Sequence, residues 1–423
     1  MKRTVTGIIW VGPVYDWGGY GNVSRNYLKG LVEEDLPVRV ISVGPESSDE
    51  LGAETTAWIK SLETVKVGKY PVVVINLTPE SFPEIWTFGA LKRIGISIFE
   101  TDRIPEHWVD LCRKVDEVWV PGKFNLGTYA KSGVPKEKLW AVPYAMDTAV
   151  YRPSRLPARA KTKDPFTFLY IFSFGWRKGF DLLLEAFMNE FKKGEAKLVI
   201  RAFTAGYQGV SREMLRDVLF GSVKDKVDYD RKDLPEVELI DASLSPQDLL
   251  KLYSRADLYI STDRANGWGM PCMEAMAMGI PAATIDWSGS TGFMTKENSL
   301  LIKPTGKLIP IDERLSGAQP KLYAGHKWVE VKVEEVQRVM RWATTHPKEL
   351  AAVAKCGEAD IQTNFTPEAI ARQINQHIAT YRPGPMARIC GSLGISHYVV
   401  RVTARRDARD YMVRNIKRVL RRA

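Results

Sequence analysis

Short apolar runs alternate with amphipathic stretches along most of the chain. Val5–Val11, Val38–Val43, Val72–Leu77, Ile94–Phe99, Val115–Val120 and Leu139–Val142 read as buried strands, with a helix over Asn22–Val32. The alternation resumes further on. Phe166–Ser173, Lys197–Phe203, Val237–Ile240, Asp257–Ser261 and Ala282–Ile285 read as strands, and Phe180–Phe191, Pro246–Arg255 and Pro271–Met278 as helices. Such alternation predicts parallel sheets covered on both faces, an α/β fold. Tyr151–Pro165 is proline-rich, basic and without periodicity, the mark of a linker. Residues 204–236 read as an insertion of mixed charge and 304–330 as a long surface loop, and a further helix is predicted over Pro367–Thr380.

A length of 423 residues is enough for two or three domains, and 45% apolar with 26% charged residues is ordinary for a soluble globular protein. No apolar run approaches the roughly 18 residues of a membrane span. Lys2-Arg3 followed by Val5–Val11 imitates a signal peptide, but the run is short and leads into a glycine-rich turn, so a first strand is expected there. Cys112, Cys272, Cys356 and Cys390 show neither close pairing nor metal-type spacing and read as free thiols of a reducing cytoplasm. The net charge of +10 is uneven: residues 384–423 carry ten Lys/Arg against Asp407 and Asp410. The body of the chain is therefore near neutral, which argues against a general nucleic-acid surface.

The stretch from Asn266 to Pro281 holds the most chemistry: Gly267-Trp268-Gly269, then Met270-Pro271, then Glu274, then a closing Gly279-Ile280-Pro281. Proline suits a helix start. Glu274 is expected in the first turn, held ionised by free N–H groups and the helix dipole, where it could grip two vicinal hydroxyls such as those of a ribose. Here the chain resembles the retaining, nucleotide-sugar-dependent glycosyltransferases of the glycosyltransferase family 4 type. The resemblance implies the GT-B fold, with two facing Rossmann-like domains, an interdomain cleft and here a basic C-terminal helical tail. It divides the chain into an acceptor-side domain (1–152), a linker (153–165), a nucleotide-sugar domain (166–365), a helix crossing back (366–383) and a basic amphipathic tail (384–423). Val118-Trp119-Val120-Pro121, Asn125 and Glu100-Thr101-Asp102 add to it.

The family carries a Glu-x7-Glu element at this place. Glu274 matches the second Glu, implied to hold the nucleotide ribose. The first is Asn266, implied to contact the donor sugar, and asparagine offers hydrogen bonds without charge. Lys178-Gly179 matches the lysine that neutralises the donor diphosphate. The arginine many members carry five residues earlier is Ser173 here, which leaves Arg177 as a candidate second cation. Gly18-Gly19 follows the first strand, where backbone N–H groups and a helix start favour a phosphate. A degraded dinucleotide fingerprint competes there, but the acid it expects about 20 residues on is Arg39. Gly267, Trp268, Gly269 and Met270 are further donor-binding candidates, Leu244 is a candidate at the base, and Ser288–Gly292 offers hydroxyls.

On the acceptor side Asp102 and His107 follow a strand end and are candidate catalytic residues, against a salt-bridged loop with Arg103. No cofactor and no metal site is implied, because the nucleoside-diphosphate sugar is a substrate and no ligand cluster stands out. The tail residues 404–423 place Ala408, Met412, Ile416, Val419, Leu420 and Ala423 on one helical stripe among arginines. That suits an anionic membrane surface, and equally a terminal helix packed on its own protein. The expected activity is transfer of a sugar to a hydroxyl of a glycan or lipid-linked acceptor, in cell-surface polysaccharide or glycolipid synthesis. The expected location is cytoplasmic, with the tail peripheral on the inner membrane face. Two rivals remain, another GT-B enzyme such as a glycan phosphorylase and a nucleotide-sugar-binding protein impaired in catalysis.

Overall fold

The structure of the protein, a computed structural model, describes residues 4–44, 51–155, 165–203, 212–242, 244–316, 319–385, 387–388 and 398–401. The chain divides into two compact units. The first takes Met1–Ile98, Ile104–Ala145 and Phe365–Ala423, the second Phe99–Arg103 and Met146–Asn364.

The first unit contains β1 (Gly7–Gly12), α1 (Gly19–Glu33), β2 (Val38–Ser42), β3 (Pro71–Asn76), β4 (Ile85–Phe88), β5 (Lys92–Ile96), β6 (Glu117–Val120) and β7 (Leu139–Ala141). Six of these strands form a parallel sheet in the order β2-β1-β3-β5-β6-β7. Central β1 and β3 are buried at every position, so their sequence reads as near-continuous apolar runs, whereas edge strand β2 exposes Arg39. The short helices Ala53–Glu63, Glu106–Cys112 and Lys123–Lys131 carry weaker periodicity and were not foreseen in the sequence.

The helix Pro367–Ile378 belongs to this unit. Its start is locally encoded: the Thr366 hydroxyl accepts the Ala369 N–H at 3.1 Å, and Pro367 occupies the first turn. Asn375 donates to Glu34 at 2.9 Å, and the His377 ring stacks on Trp140 with centroids 3.6 Å apart. Glu117 collects Trp119 Nε1, His377 Nε2 and the Tyr381 hydroxyl on one carboxylate oxygen. At Gly30 of α1 a Cβ would lie 1.9 Å from the Pro367 carbonyl oxygen, so the two helices meet through the absent side chain. Gly30→Ala is expected to destabilise the protein by about 1–3 kcal/mol, the usual range for overpacking, read from the midpoint of a urea melt. An unchanged midpoint would mean that the two helices separate freely.

The second unit contains β8 (Phe166–Ser173), β9 (Ala196–Phe203), β10 (Glu236–Ile240), β11 (Leu258–Ser261), β12 (Ala282–Ile285) and β13 (Leu300–Ile302), a parallel sheet in the order β10-β9-β8-β11-β12-β13. The chain winds outward from β8 to β10 and then returns to place β11 on the other side of β8. The switch point of this doubly wound sheet is therefore the β8/β11 boundary, where open α/β sheets take ligands at the carboxyl ends of their strands.

Two expectations are corrected here. Residues 304–330 are not one loop: β14 (Leu308–Pro310) and β15 (Lys327–Val329) pair antiparallel around the helical turns Glu313–Ser316 and Pro320–Tyr323. Three-residue strands are too short to show a period in sequence. Within the basic tail Tyr398–Arg401 is a strand antiparallel to β4 rather than helix. The proposed amphipathic segment 404–423 and most of the linker lie outside the described residues. Among the described residues no helix is long and apolar enough to cross a membrane. Cys112 and Cys272 are buried free thiols and Cys356 is an exposed one, while Cys390 lies outside the described residues. Burial pushes the Cys112 thiol up to about 12 and the Cys272 thiol up as well, so both stay protonated at neutral pH.

Candidate active site

Lys178 follows β8 and Asp263 follows β11, one on each side of the switch point. They form an ion pair with Nζ–Oδ2 2.8 Å, largely out of solvent. Burial holds the Lys178 ammonium below its ordinary value against the pull of Asp263. The Tyr170 hydroxyl, buried within β8, hydrogen-bonds the Asp263 carboxylate and lies 2.6 Å from the Lys178 carbonyl oxygen. Gly179 carries φ +59, and a Cβ there would meet the Thr262 carbonyl oxygen at 2.1 Å, so the Lys-Gly pair requires glycine on two counts.

Further bonds stitch the same two loops together. The Thr262 hydroxyl donates to the Gly179 carbonyl at 2.9 Å, and the Arg264 N–H donates to the Arg177 carbonyl at 2.8 Å. The Arg264 guanidinium takes both Asp181 oxygens at 2.7 and 2.8 Å, anchoring the start of the Phe180–Glu190 helix. Arg177 Nη1 donates to the Ala265 carbonyl at 3.1 Å and Arg177 Nε lies 3.3 Å from Glu100, which also accepts the Tyr323 hydroxyl at 2.5 Å. Both candidate cations thus have a carboxylate partner in this unit.

Glu274 requires a correction. The helix runs Met270–Ala277, so Glu274 lies beyond its first turn and loses the N-terminal N–H groups invoked for it. It is buried, and burial pushes its carboxyl up from 4.5 to about 7, against hydrogen bonds from Tyr253 and Tyr151 and the charge of Arg201. The Tyr253 hydroxyl donates to its Oε2 at 2.7 Å. The carboxyl is poised near neutrality rather than firmly ionised.

Asn266 is buried, and its amide is turned onto the Ser288–Gly292 loop. Its Oδ1 accepts the Ser290 N–H at 3.0 Å, its Nδ2 lies 3.4 Å from Ser290 Oγ, and its own N–H donates to Ser288 Oγ at 3.1 Å. Ser288 holds φ +71, a conformation costing about 1–3 kcal/mol for a non-glycine residue. Gly267, Gly269 and Met270 are half-buried, whereas the Trp268 ring is buried against Phe293. Leu244 is half-buried just ahead of the Pro246–Tyr253 helix, and Ser243 lies outside the described residues.

Of the remaining candidates, Asp102 belongs to the second unit and His107 to the first. Both Asp102 oxygens are engaged, one by the Lys327 N–H at 2.7 Å and the other by the Arg103 guanidinium at 3.0 Å. His107 is exposed, with Nε2 3.1 Å from Glu80. Gly18 and Gly19 open α1 in the first unit, where the Gly18 N–H donates to Asp16 at 2.9 Å and Arg25 braces the turn through the Val14 and Asp16 carbonyls. Asp263, Tyr170, Tyr253 and Tyr151 were missed, because each joins the site from a distant part of the chain without a local signature.

Two Rossmann-like units, each built on a six-stranded parallel sheet, are the architecture of the GT-B fold. Residues 165–309 match the family described as Glycosyl transferases group 1. No match is found among curated protein sequences. Solved structures share the fold. Anabaena HepE in complex with UDP and glucose aligns at 14% identity and TM-score 0.56, over 89% of this chain and 100% of its own. Sucrose-phosphate synthase from Thermosynechococcus elongatus gives 14% and 0.56 over 88% and 98%. A glycosyltransferase from Rickettsia africae gives 12% and 0.57 over 89% and 99%.

Proposed function

We propose that the protein is a retaining glycosyltransferase of the family 4 type that moves a sugar from a nucleoside-diphosphate sugar to a hydroxyl acceptor without a metal ion. The observation that carries this reading is the placement of Lys178 and Asp263 on either side of the β8/β11 switch point. In this reading Lys178 neutralises the diphosphate as the glycosidic bond breaks, with Arg177 beside it. Glu274 accepts the ribose hydroxyls, and the backbone of Gly267–Met270 faces the phosphates and sugar. The donor phosphate itself takes the acceptor's proton, so no protein nucleophile is called for. That HepE is solved with UDP and with UDP-glucose supports a nucleoside-diphosphate donor. A glycan or lipid-linked acceptor, with polysaccharide or glycolipid as product and the tail on an anionic membrane, completes the proposal.

A second reading has one observation in its favour: the Asn266 amide is already satisfied by Ser290, as in a nucleotide-sugar-binding protein impaired in catalysis. Calorimetric stability with UDP, GDP, ADP, CMP and NAD tests the donor site. A ligand at 100 times its Kd adds about 2.7 kcal/mol, and the gain should come from a nucleoside diphosphate and vanish in Glu274→Ala. A response to NAD alone, or to no nucleotide, would reject the donor-site reading. Nucleotide binding with no turnover of any nucleotide sugar would favour the second.

A further inference from the structure

Arg201 carries a positive charge that acts on Glu274 and takes no part in the Lys178–Asp263 pair. It lies near the carboxyl end of β9, an interior strand whose register sets Arg201 beside Ile171 of β8 and Ile240 of β10. The guanidinium is half-buried and its Nε is buried with no hydrogen-bond partner among the described residues. Among the described residues no carboxylate lies within ion-pair distance. Burial lowers its pKa, and the only countering charges are those of Tyr253 and Glu274. A desolvated guanidinium with an unmet donor is unfavourable unless something else completes it.

Arg201 and Phe203 are two apart on one strand and share a face. The Arg201 Cζ sits 4.7 Å from the Phe203 ring centroid, a cation–π contact that restrains the guanidinium and leaves its N–H groups as donors. Along the carboxyl edge of the sheet the order is Asp263 after β11, Lys178 after β8, then Arg201 and Phe203 on β9, with Tyr253 on the helix that follows β10. Glu274 and Tyr253, bonded at 2.7 Å, lie within electrostatic reach of Arg201.

We propose that Arg201, restrained by Phe203, reads the base of the bound nucleotide and selects one that carries a carbonyl oxygen. This rests on the donor-site reading: Arg201 interacts electrostatically with Glu274, so the base attached to a ribose held at Glu274 can reach it. A guanidinium fork offers two parallel donors, which guanine meets with O6 and N7 and uracil with a carbonyl oxygen, whereas adenine sets its exocyclic amine, a donor, beside the N7 acceptor and satisfies one of the two.

Isothermal titration of the full chain with UDP, GDP, ADP and inorganic pyrophosphate tests this on wild type, Arg201→Met and Arg201→Lys. Wild type should bind UDP or GDP at least about tenfold tighter than ADP, and Arg201→Met should weaken that nucleotide by about tenfold while moving ADP and pyrophosphate by less than about twofold. Arg201→Lys, which keeps the charge but not the planar fork, should recover little of the base preference. Equal weakening of UDP, ADP and pyrophosphate in Arg201→Met would make Arg201 a phosphate ligand and overturn the proposal. So would unchanged affinities in a variant whose melting curve matches wild type. Wild type that binds pyrophosphate but no nucleoside diphosphate overturns the donor-site reading itself, a result distinct from either.

Discussion

Lys178→Met is expected to lower kcat/KM for sugar transfer by roughly 10²–10³-fold, the usual effect of removing one preorganised group that stabilises developing charge. The same change strands Asp263, which is 6% exposed in its side chain and would keep only Tyr170. Breaking a buried pair from one side costs about 3–5 kcal/mol, so the single variant confounds lost chemistry with lost fold. The double variant Lys178→Met/Asp263→Asn separates them. It removes both charges together and should regain most of the melting temperature while staying as inactive as Lys178→Met. Recovery of activity in the double variant would show that Lys178 holds the loop and does not touch the diphosphate. The lysine's lowered pKa makes it a group that gains from an anion, because a diphosphate returns the solvation that burial removed.

Glu274 should give the protein a pH-dependent affinity. Its carboxyl rises from 4.5 to about 7 on folding because it is buried. The sign for stability follows directly. A raised carboxyl pKa favours the protonated folded state, so its contribution is complete below about pH 4.5 and is lost as pH climbs through about 7. Glu274→Gln, which cannot ionise, should therefore gain on wild type across that window, by at most about 3 kcal/mol above pH 7. Binding runs the other way. Ribose hydroxyls donate best to the ionised carboxylate, so nucleoside diphosphate affinity should tighten by about tenfold from pH 6 to pH 8 in wild type. The ligand's own phosphate ionisation contributes to both proteins, so the difference between wild type and Glu274→Gln is the quantity that decides. Superimposable pH profiles would remove Glu274 from the nucleotide site.

These two residues mark how far local pattern reaches. Lys178 and Glu274 are visible because glycine and proline punctuate the chain around them: Gly179 must occupy the left-handed region, and Pro271 opens a helix. Their ionisation is invisible. A first-turn position would make Glu274 a firm anion, but the helix starts a residue earlier than the proline implies and the carboxyl is buried, so desolvation outweighs the dipole. Asp263 stands 85 residues from its lysine and Tyr253 21 from its glutamate, separations at which no period or spacing carries information.

The sheets divide in the same way. β8 reads from Phe166 to Ser173 in sequence and in structure, because a strand covered on both faces carries a near-continuous apolar run. The Pro367–Ile378 helix announces itself through Thr366 and Pro367. The β14–β15 ladder and the pairing of Tyr398–Arg401 with β4 did not, since strands of three or four residues bury too little to leave a pattern. Local order, the α/β class and the glycine and proline that frame Lys178 and Glu274 are thus written in short-range sequence, where backbone sterics and burial act on neighbours. Which strands adjoin, which carboxylate faces which cation, and which acids stay neutral depend on groups brought together from far along the chain. Desolvation and ion pairing act through space and leave no trace in spacing.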